Sequence, residues 1–295
     1  MAKQKKFPRV PNFTPSAIHL ADLCAREIWR GVNYVNGDKI TVVDKDLVSE
    51  NRSKHVSSAD FVVMSDEEFL VRFAEPFLNI AYDDEIKIKK PISALDVQHL
   101  IEVARLRFAQ IKTQHLDVES GIEVLLSFIA QHYRDWNAAD SELNYSEIGG
   151  HITVIMGDAF FKPADELTLG TQHALASRLL FFAIPDMPLF NYSGDIADGL
   201  DLKGNSEELI KRYIDTLSEG YDRNWHLLSQ YQMPYPIKLN DKVWERARDA
   251  GWWQRRIYDL ALKFHYKDTK NSKEATIIVN NFVKKLFYTA PLKHL

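Results

Sequence analysis

The chain predicts a mainly α-helical fold with a minor β component. Apolar residues recur at three- and four-residue spacing through most of the sequence after Ser65, and Pro, Gly and Ser residues stand at the ends of those stretches. A short region after residue 31 is instead rich in β-branched residues, which is where strand is expected.

Thr14 and Pro15 open the first helix, Ile18, Leu23, Ile28 and Trp29 supply its apolar stripe, and Gly31 ends it. Tyr34 to Gly37 reads as a turn. Lys39 to Asp44 reads as a strand, for which Phe61 to Met64 is the expected partner, with a polar loop from Ser49 to Ser58 between them. Ser65 and Glu68 form a capping box for a helix with Phe69, Leu70, Phe73 and Phe77, expected to stop around Pro76. Two longer helices are expected, one from Ser93 through Ile111 and one from Val118 to Trp136.

The stretch from Asn137 to Asn144 is turn-rich and Gly149-Gly150 interrupts the chain just before the apolar run at Ile152, so a boundary is expected near 145, giving regions 1–145 and 146–295. Beyond it, Ala174, Leu175, Leu179, Leu180 and Phe182 mark a buried helix that Pro185 and Pro188 convert into a fixed extended turn. Ser206, Glu207 and Glu208 open a helix running toward Tyr231, which Pro234 and Pro236 close. Val243–Ala250 and Trp252–His265 are two helices broken at Gly251, and Ala275–Tyr288 is the last.

At 295 residues, 45 % hydrophobic and 26 % charged, the chain belongs with folded globular proteins rather than disordered ones. Its one cysteine, Cys24, cannot form an internal disulfide, and no apolar run approaches the ~20 residues of a membrane helix. The start Met-Ala-Lys-Gln-Lys-Lys carries positive charge with no apolar core behind it, unlike a secretory signal. A cytoplasmic protein without membrane contact is therefore expected. A net charge of −4 disfavours a uniformly basic nucleic-acid binder but allows a local patch. The lysines of 87–90, and those from Lys263 onward, are either solvated faces or phosphate contacts.

No Cys/His cluster, Gly-Lys-Ser/Thr phosphate loop or Gly-x-Ser-x-Gly elbow is present, which removes zinc, nucleotide-hydrolase and serine-hydrolase readings. Asp195, Asp198 and Asp201 could hold a hard cation, but their spacing is not that of an EF-hand and a solvated acidic turn is the simpler reading. No metal or cofactor is expected. Trp244-Glu-Arg-Ala-Arg248 and Trp252-Trp253-Gln-Arg-Arg-Ile-Tyr258 interleave indoles with guanidiniums, a mixture suited to stacking on bases and gripping phosphates or to core packing. Arg246, Arg248, Arg255 and Arg256 are the basic candidates for facing DNA, with at least one of the two adjacent tryptophans in the core.

The segment Leu167-Thr-Leu-Gly-Thr-Gln172, followed by the apolar helix and proline turn ending at Asn191, resembles the helix-hairpin-helix DNA glycosylases, specifically their 8-oxoguanine glycosylase-like branch. Gly170 and Thr171 match the end of that family's hairpin, its catalytic lysine falls on Gln172, and its aspartate falls on or near Asn191. Thr168 replaces the first hairpin glycine. The resemblance implies a helix-hairpin-helix glycosylase-like domain over 146–295. An amide at Gln172 cannot form a Schiff base and one at Asn191 cannot supply negative charge, so it further implies DNA recognition without base excision. Gly170, Thr171, Gln172 and Asn191 would then contact DNA, as part of a repair, mobile-element or phage-defence assembly with other protein subunits. A register shifted by a few residues makes Asp195 a catalytic carboxylate and the protein an active monofunctional glycosylase. A structural subunit of a protein complex is the third reading.

Overall fold

The computed structural model describes residues 9–29, 32–35, 39–42, 65–81, 120–121, 124, 145–160, 169–203 and 206–270. These are mainly helical. In order they form α1 (Pro15–Trp29), β1 (Val32–Val35), β2 (Lys39–Val42), α2 (Asp66–Ala81), α3 (Tyr145–Phe160), α4 (Leu169–Ala183), the short α5 (Gly194–Gly199), α6 (Ser206–Leu228), α7 (Asp241–Asp249) and α8 (Trp252–Lys270).

The helix starts follow their local chemistry. The Ala17 amide donates to Thr14 Oγ1 at 3.3 Å, and the Glu68 amide to Ser65 Oγ at 3.0 Å, each satisfying an N-terminal donor that the helix itself leaves unpaired. Asn240 caps α7 by accepting from the Lys242 amide at 2.9 Å. Gly251 separates α7 from α8 with a φ of +69°, a left-handed conformation that a side chain would strain.

Three expectations need correction. The Lys39 strand pairs with Val32–Val35, in register Val32↔Val42 and Val35↔Lys39, so Tyr34 and Val35, expected to begin a turn, belong to the first strand; the expected partner Phe61–Met64 lies outside the described residues. Helix α2 passes Pro76 and runs to Ala81. A proline removes one backbone hydrogen bond, and here the anchoring of the preceding turns, with Phe69, Leu70 and Phe73 in the core, carries the helix through. Gly149 and Gly150 lie inside α3, not in a break. A Cβ on Gly150 would sit 3.4 Å from Lys211 Cα, so the missing side chain lets α3 lie close along α6. The helices expected from Ser93 and over 118–136, and the one after Ala275, lie outside the described residues except for Ser120, Gly121 and Val124, which are helical.

α3 packs along α6 and α4, α1 packs on α8, and α2 packs on α4. Helices from before and after residue 145 share one apolar core. Its centre is aromatic. Trp252 and Trp253 are both buried, Trp252 stacked on Phe181 at 5.0 Å and donating to the Phe181 carbonyl at 2.9 Å, Trp253 donating to Asp22 Oδ1 at 3.1 Å. Trp29 meets both rings edge-on, at 6.1 and 5.7 Å, so α1 is keyed into α8.

The chain before α1 is fixed to α6 by buried Asn224, whose Oδ1 accepts from the Phe13 amide at 2.9 Å and whose Nδ2 donates to the Pro11 carbonyl at 3.3 Å. Gly220, one turn earlier, allows that crossing. A Cβ there would meet the Tyr258 hydroxyl and come within 2.6 Å of Val10 Cβ. Gly220→Ala is expected to destabilise the protein by about 1–3 kcal/mol despite alanine's better helix propensity, because overpacking outweighs the propensity gain of ~1 kcal/mol. A lowered urea midpoint checks this, and an unchanged or raised one refutes the crossing.

Candidate functional site

The turn after α4 is built by one side chain. Arg255 of α8, only 2 % exposed, donates to the Pro185 carbonyl at 2.7 Å, to the Leu189 carbonyl at 3.3 Å and to the Met187 carbonyl. Pro185 and Pro188 fix the backbone angles, the Leu189 amide donates to the Met187 carbonyl at 2.7 Å, and the guanidinium fork gathers all three carbonyls. The chain leaves this turn through Phe190, Asn191 and Tyr192 without regular structure and lies beside the first half of α4, where Tyr192 meets Ser177 and His173.

There Ser177 Oγ accepts from the Tyr192 amide at 2.8 Å, and the Tyr213 hydroxyl donates to the Asn191 carbonyl at 2.9 Å. The Tyr192 ring meets His173 edge-on at 5.7 Å and Tyr213 at 4.9 Å. His173, Ser177, Asn191, Tyr192 and Tyr213 thus gather along the first half of α4, all of them buried. His173 and Asn191 are each 1 % exposed, and neither the two His173 ring nitrogens nor Asn191 Oδ1 has a hydrogen-bond partner among the described residues. Orphaned polar atoms at that depth are costly, typically about 1–3 kcal/mol each, so each calls for a partner beyond the described residues, an ordered water or a bound group.

The cluster is electrically neutral. Burial pushes the His173 pKa down, against a weaker upward pull from Asp158, so the imidazole is uncharged at neutral pH. Burial pushes the Tyr192 phenol up, with Asp198 adding to it, and pushes Tyr213 well up. Such a site can offer hydrogen bonds to an uncharged polar group, but it supplies neither an amine nucleophile nor a carboxylate.

The residues singled out from sequence fall in different places. Gly170, Thr171 and Gln172 lie in the first turn of α4, directly before His173. Asn191 is in the cluster. Asp195 is exposed, in the first turn of α5, and not part of the buried group. Asp201 pairs with Lys203 at 2.7 Å, and no group of three or more His, Cys, Asp or Glu able to hold a metal occurs among the described residues.

Two of the four arginines do not face outward. Arg255 and Arg256 are both buried, which corrects the expectation that they meet DNA: the one holds the 185–189 turn and the other pairs with Asp66 at 2.8 Å and Asp259 at 3.1 Å. Arg246 is half-buried, 3.6 Å from Asp186, with burial lowering its pKa. Arg248 is exposed, pairs with Asp249 at 2.8 Å and lies over the Trp244 ring at 4.5 Å. His151 is exposed, 3.5 Å from Glu207.

Sequence reasoning missed Ser177, Tyr192 and Tyr213. Ser177 carried a signal: a small polar residue between Ala176 and Leu179 on the buried face of an apolar helix needs a partner. Tyr192 and Tyr213 carried none, because their partners lie in a turn and a helix that only the fold brings together.

No family model, characterised protein or solved structure matches the chain. Among the described residues no helix is long and apolar enough to cross a membrane.

The buried phenols have a measurable consequence. Burial pushes Tyr221 and Tyr266 up to about 12, and raises Tyr213 and Tyr258 as well. In the unfolded chain a tyrosine loses its proton near pH 10, so above about pH 10 the folded state holds protons that the unfolded state has released, and stability falls with rising pH. Urea unfolding is expected to show a steep loss between about pH 10 and 12. A flat profile there would mean that these phenols are hydrated.

Proposed function

We propose that the chain is a DNA-binding subunit with a degenerate glycosylase-like domain, which recognises DNA at the α4 N-terminal region without excising a base. The observation that carries this reading is Asn191, a buried amide with an unpartnered Oδ1, held by its own carbonyl and by the next amide at the position where the resemblance puts the family's carboxylate. A neutral amide whose backbone is held on both sides, beside a neutral imidazole, cannot stabilise a cationic sugar, which suits recognition without excision, and at 1 % exposure Asn191 acts by positioning the start of α4 rather than by touching DNA itself. The first turn of α4 adds backbone amides, the usual partners of a phosphate. A cytoplasmic setting and further protein subunits belong to the same proposal.

The test is equilibrium binding to duplex, mismatched and single-stranded DNA over a salt series, with abasic-site formation followed in the same samples. Affinity that falls with salt, no base release, and weakened binding in Asn191→Leu are the expected results. Absence of salt-sensitive affinity overturns the reading. Base release abolished by Asp195→Asn would make the protein an active glycosylase instead.

A further inference from the structure

The segment between α6 and α7 is irregular, yet it is tied at six points by side chains from four helices. Gln254 holds the Tyr231 carbonyl at 2.7 Å, Arg26 the Gln232 carbonyl at 3.1 Å and the Trp244 indole the Pro234 carbonyl at 3.3 Å. Glu67, itself buried, accepts from two consecutive amides, Ile237 and Lys238, both at 2.6 Å, and Glu75 accepts from the Asn240 amide at 3.3 Å. Met233, Pro236 and Leu239 point inward. Tyr235 and Ile237 point outward, 73 % and 90 % exposed.

An isolated exposed apolar side chain on a free loop means little. Here a buried carboxylate holds the backbone so that Ile237 cannot fold back onto the core. Tyr235 also packs against Trp244 at 5.2 Å, and Arg248 covers the other part of that indole, so an aromatic and aliphatic ridge continues onto α7. Rigid Tyr, Trp and Arg groups around an aliphatic tip have the composition of an interface centre.

The charges around the ridge select the occupant. Lys238, Lys242 and Arg248 are interleaved with Asp241, Glu245 and Asp249, all exposed. A phosphate backbone would meet three carboxylates. A second copy of the same patch, turned by a two-fold axis, can set bases against acids on both sides, which is the self-complementarity that such an interface requires. We propose that this ridge is a two-fold self-association surface, with Ile237 and Tyr235 at its centre and the alternating charges of α7 at its rim. The inference stands apart from the nucleic-acid reading.

Sedimentation equilibrium of the full chain without nucleic acid, over about 1–100 µM, tests it. A concentration-dependent dimer is expected, and Ile237→Asp is expected to weaken it at least about tenfold, with an unchanged circular dichroism spectrum because the side chain is exposed. The triple change Asp241→Lys, Glu245→Lys, Asp249→Lys is expected to abolish it through like-charge repulsion. A chain that is monomeric throughout, or a dimer indifferent to Ile237→Asp, overturns the proposal. So does tightened DNA binding by the triple variant that Ile237→Asp then weakens with no change in mass, which would make the ridge a nucleic-acid contact.

Discussion

Replacing Arg256 by glutamine is expected to destabilise the protein by about 3–5 kcal/mol, the range for removing one partner of a buried ion pair. Arg256 Nε donates to Asp66 Oδ2 at 2.8 Å, its Nη1 to Asp259 Oδ2 at 3.1 Å, and Lys263 Nζ donates to the same Asp259 oxygen at 2.8 Å. Asp66 is fully buried at the first turn of α2, and Asp259 is buried on α8. Without the guanidinium, Asp66 loses this cationic partner inside the core, and Asp259 keeps Lys263. The consequence reaches beyond one contact, because the pair joins α2 to α8 across 190 residues of sequence. Urea unfolding measures the loss, and a double-mutant cycle with Asp66→Ala isolates the coupling.

The same network sets the acid limb of stability. Burial alone would raise the Asp259 carboxyl, but Lys263 and Arg256 outweigh it and hold the group below its ordinary value. A carboxylate with a lowered folded pKa contributes stability that is fully present above the unfolded value of about 3.9 and is lost as pH falls through the folded one. In Arg256→Gln the folded pKa rises, so the acid-induced loss begins at higher pH than in the unmodified chain. Coincident acid limbs would show that Arg256 and Asp259 are not coupled in solution.

Local chemistry explains which parts of the fold were legible. Thr14-Pro15, Ser65 with its Glu68 and the break at Gly251 act within a turn or two of backbone, and each marks the helix boundary it suggests. Features decided by distant partners were not legible. Pro76 reads as a stop, yet α2 continues because the core residues before it are anchored elsewhere. Gly149-Gly150 reads as a break, and is instead the close approach of α6. Arg255 and Arg256 follow two tryptophans and look like a basic aromatic surface, but the carbonyls of 185–189 and the Asp66 carboxylate draw both guanidiniums inside. The candidate site was half visible. Asn191 and the start of α4 were singled out from sequence, whereas the tyrosines that fix Asn191 depend on α6 lying across the turn, a contact no local pattern encodes.

Arg255→Lys separates the two roles open to that residue. An arginine that contacts a phosphate can be replaced by lysine with the charge retained, so stability stays level and most DNA affinity survives. A guanidinium that bonds three buried carbonyls cannot be so replaced, since a single ammonium on an unforked side chain of shorter reach meets at most one or two of the Pro185, Met187 and Leu189 oxygens. The Met187 oxygen keeps the Leu189 amide, so the Pro185 and Leu189 oxygens are the ones exposed to loss, at about 1–3 kcal/mol each, and the expected total is on the order of 3 kcal/mol. The turn leads directly into Asn191, so its loosening also frees the amide that the proposed recognition depends on. Urea unfolding and DNA affinity measured on the same variant therefore decide the matter: a large stability loss accompanied by weakened binding identifies a positioning residue inside the fold, while level stability would return Arg255 to the surface and undo the account of the turn.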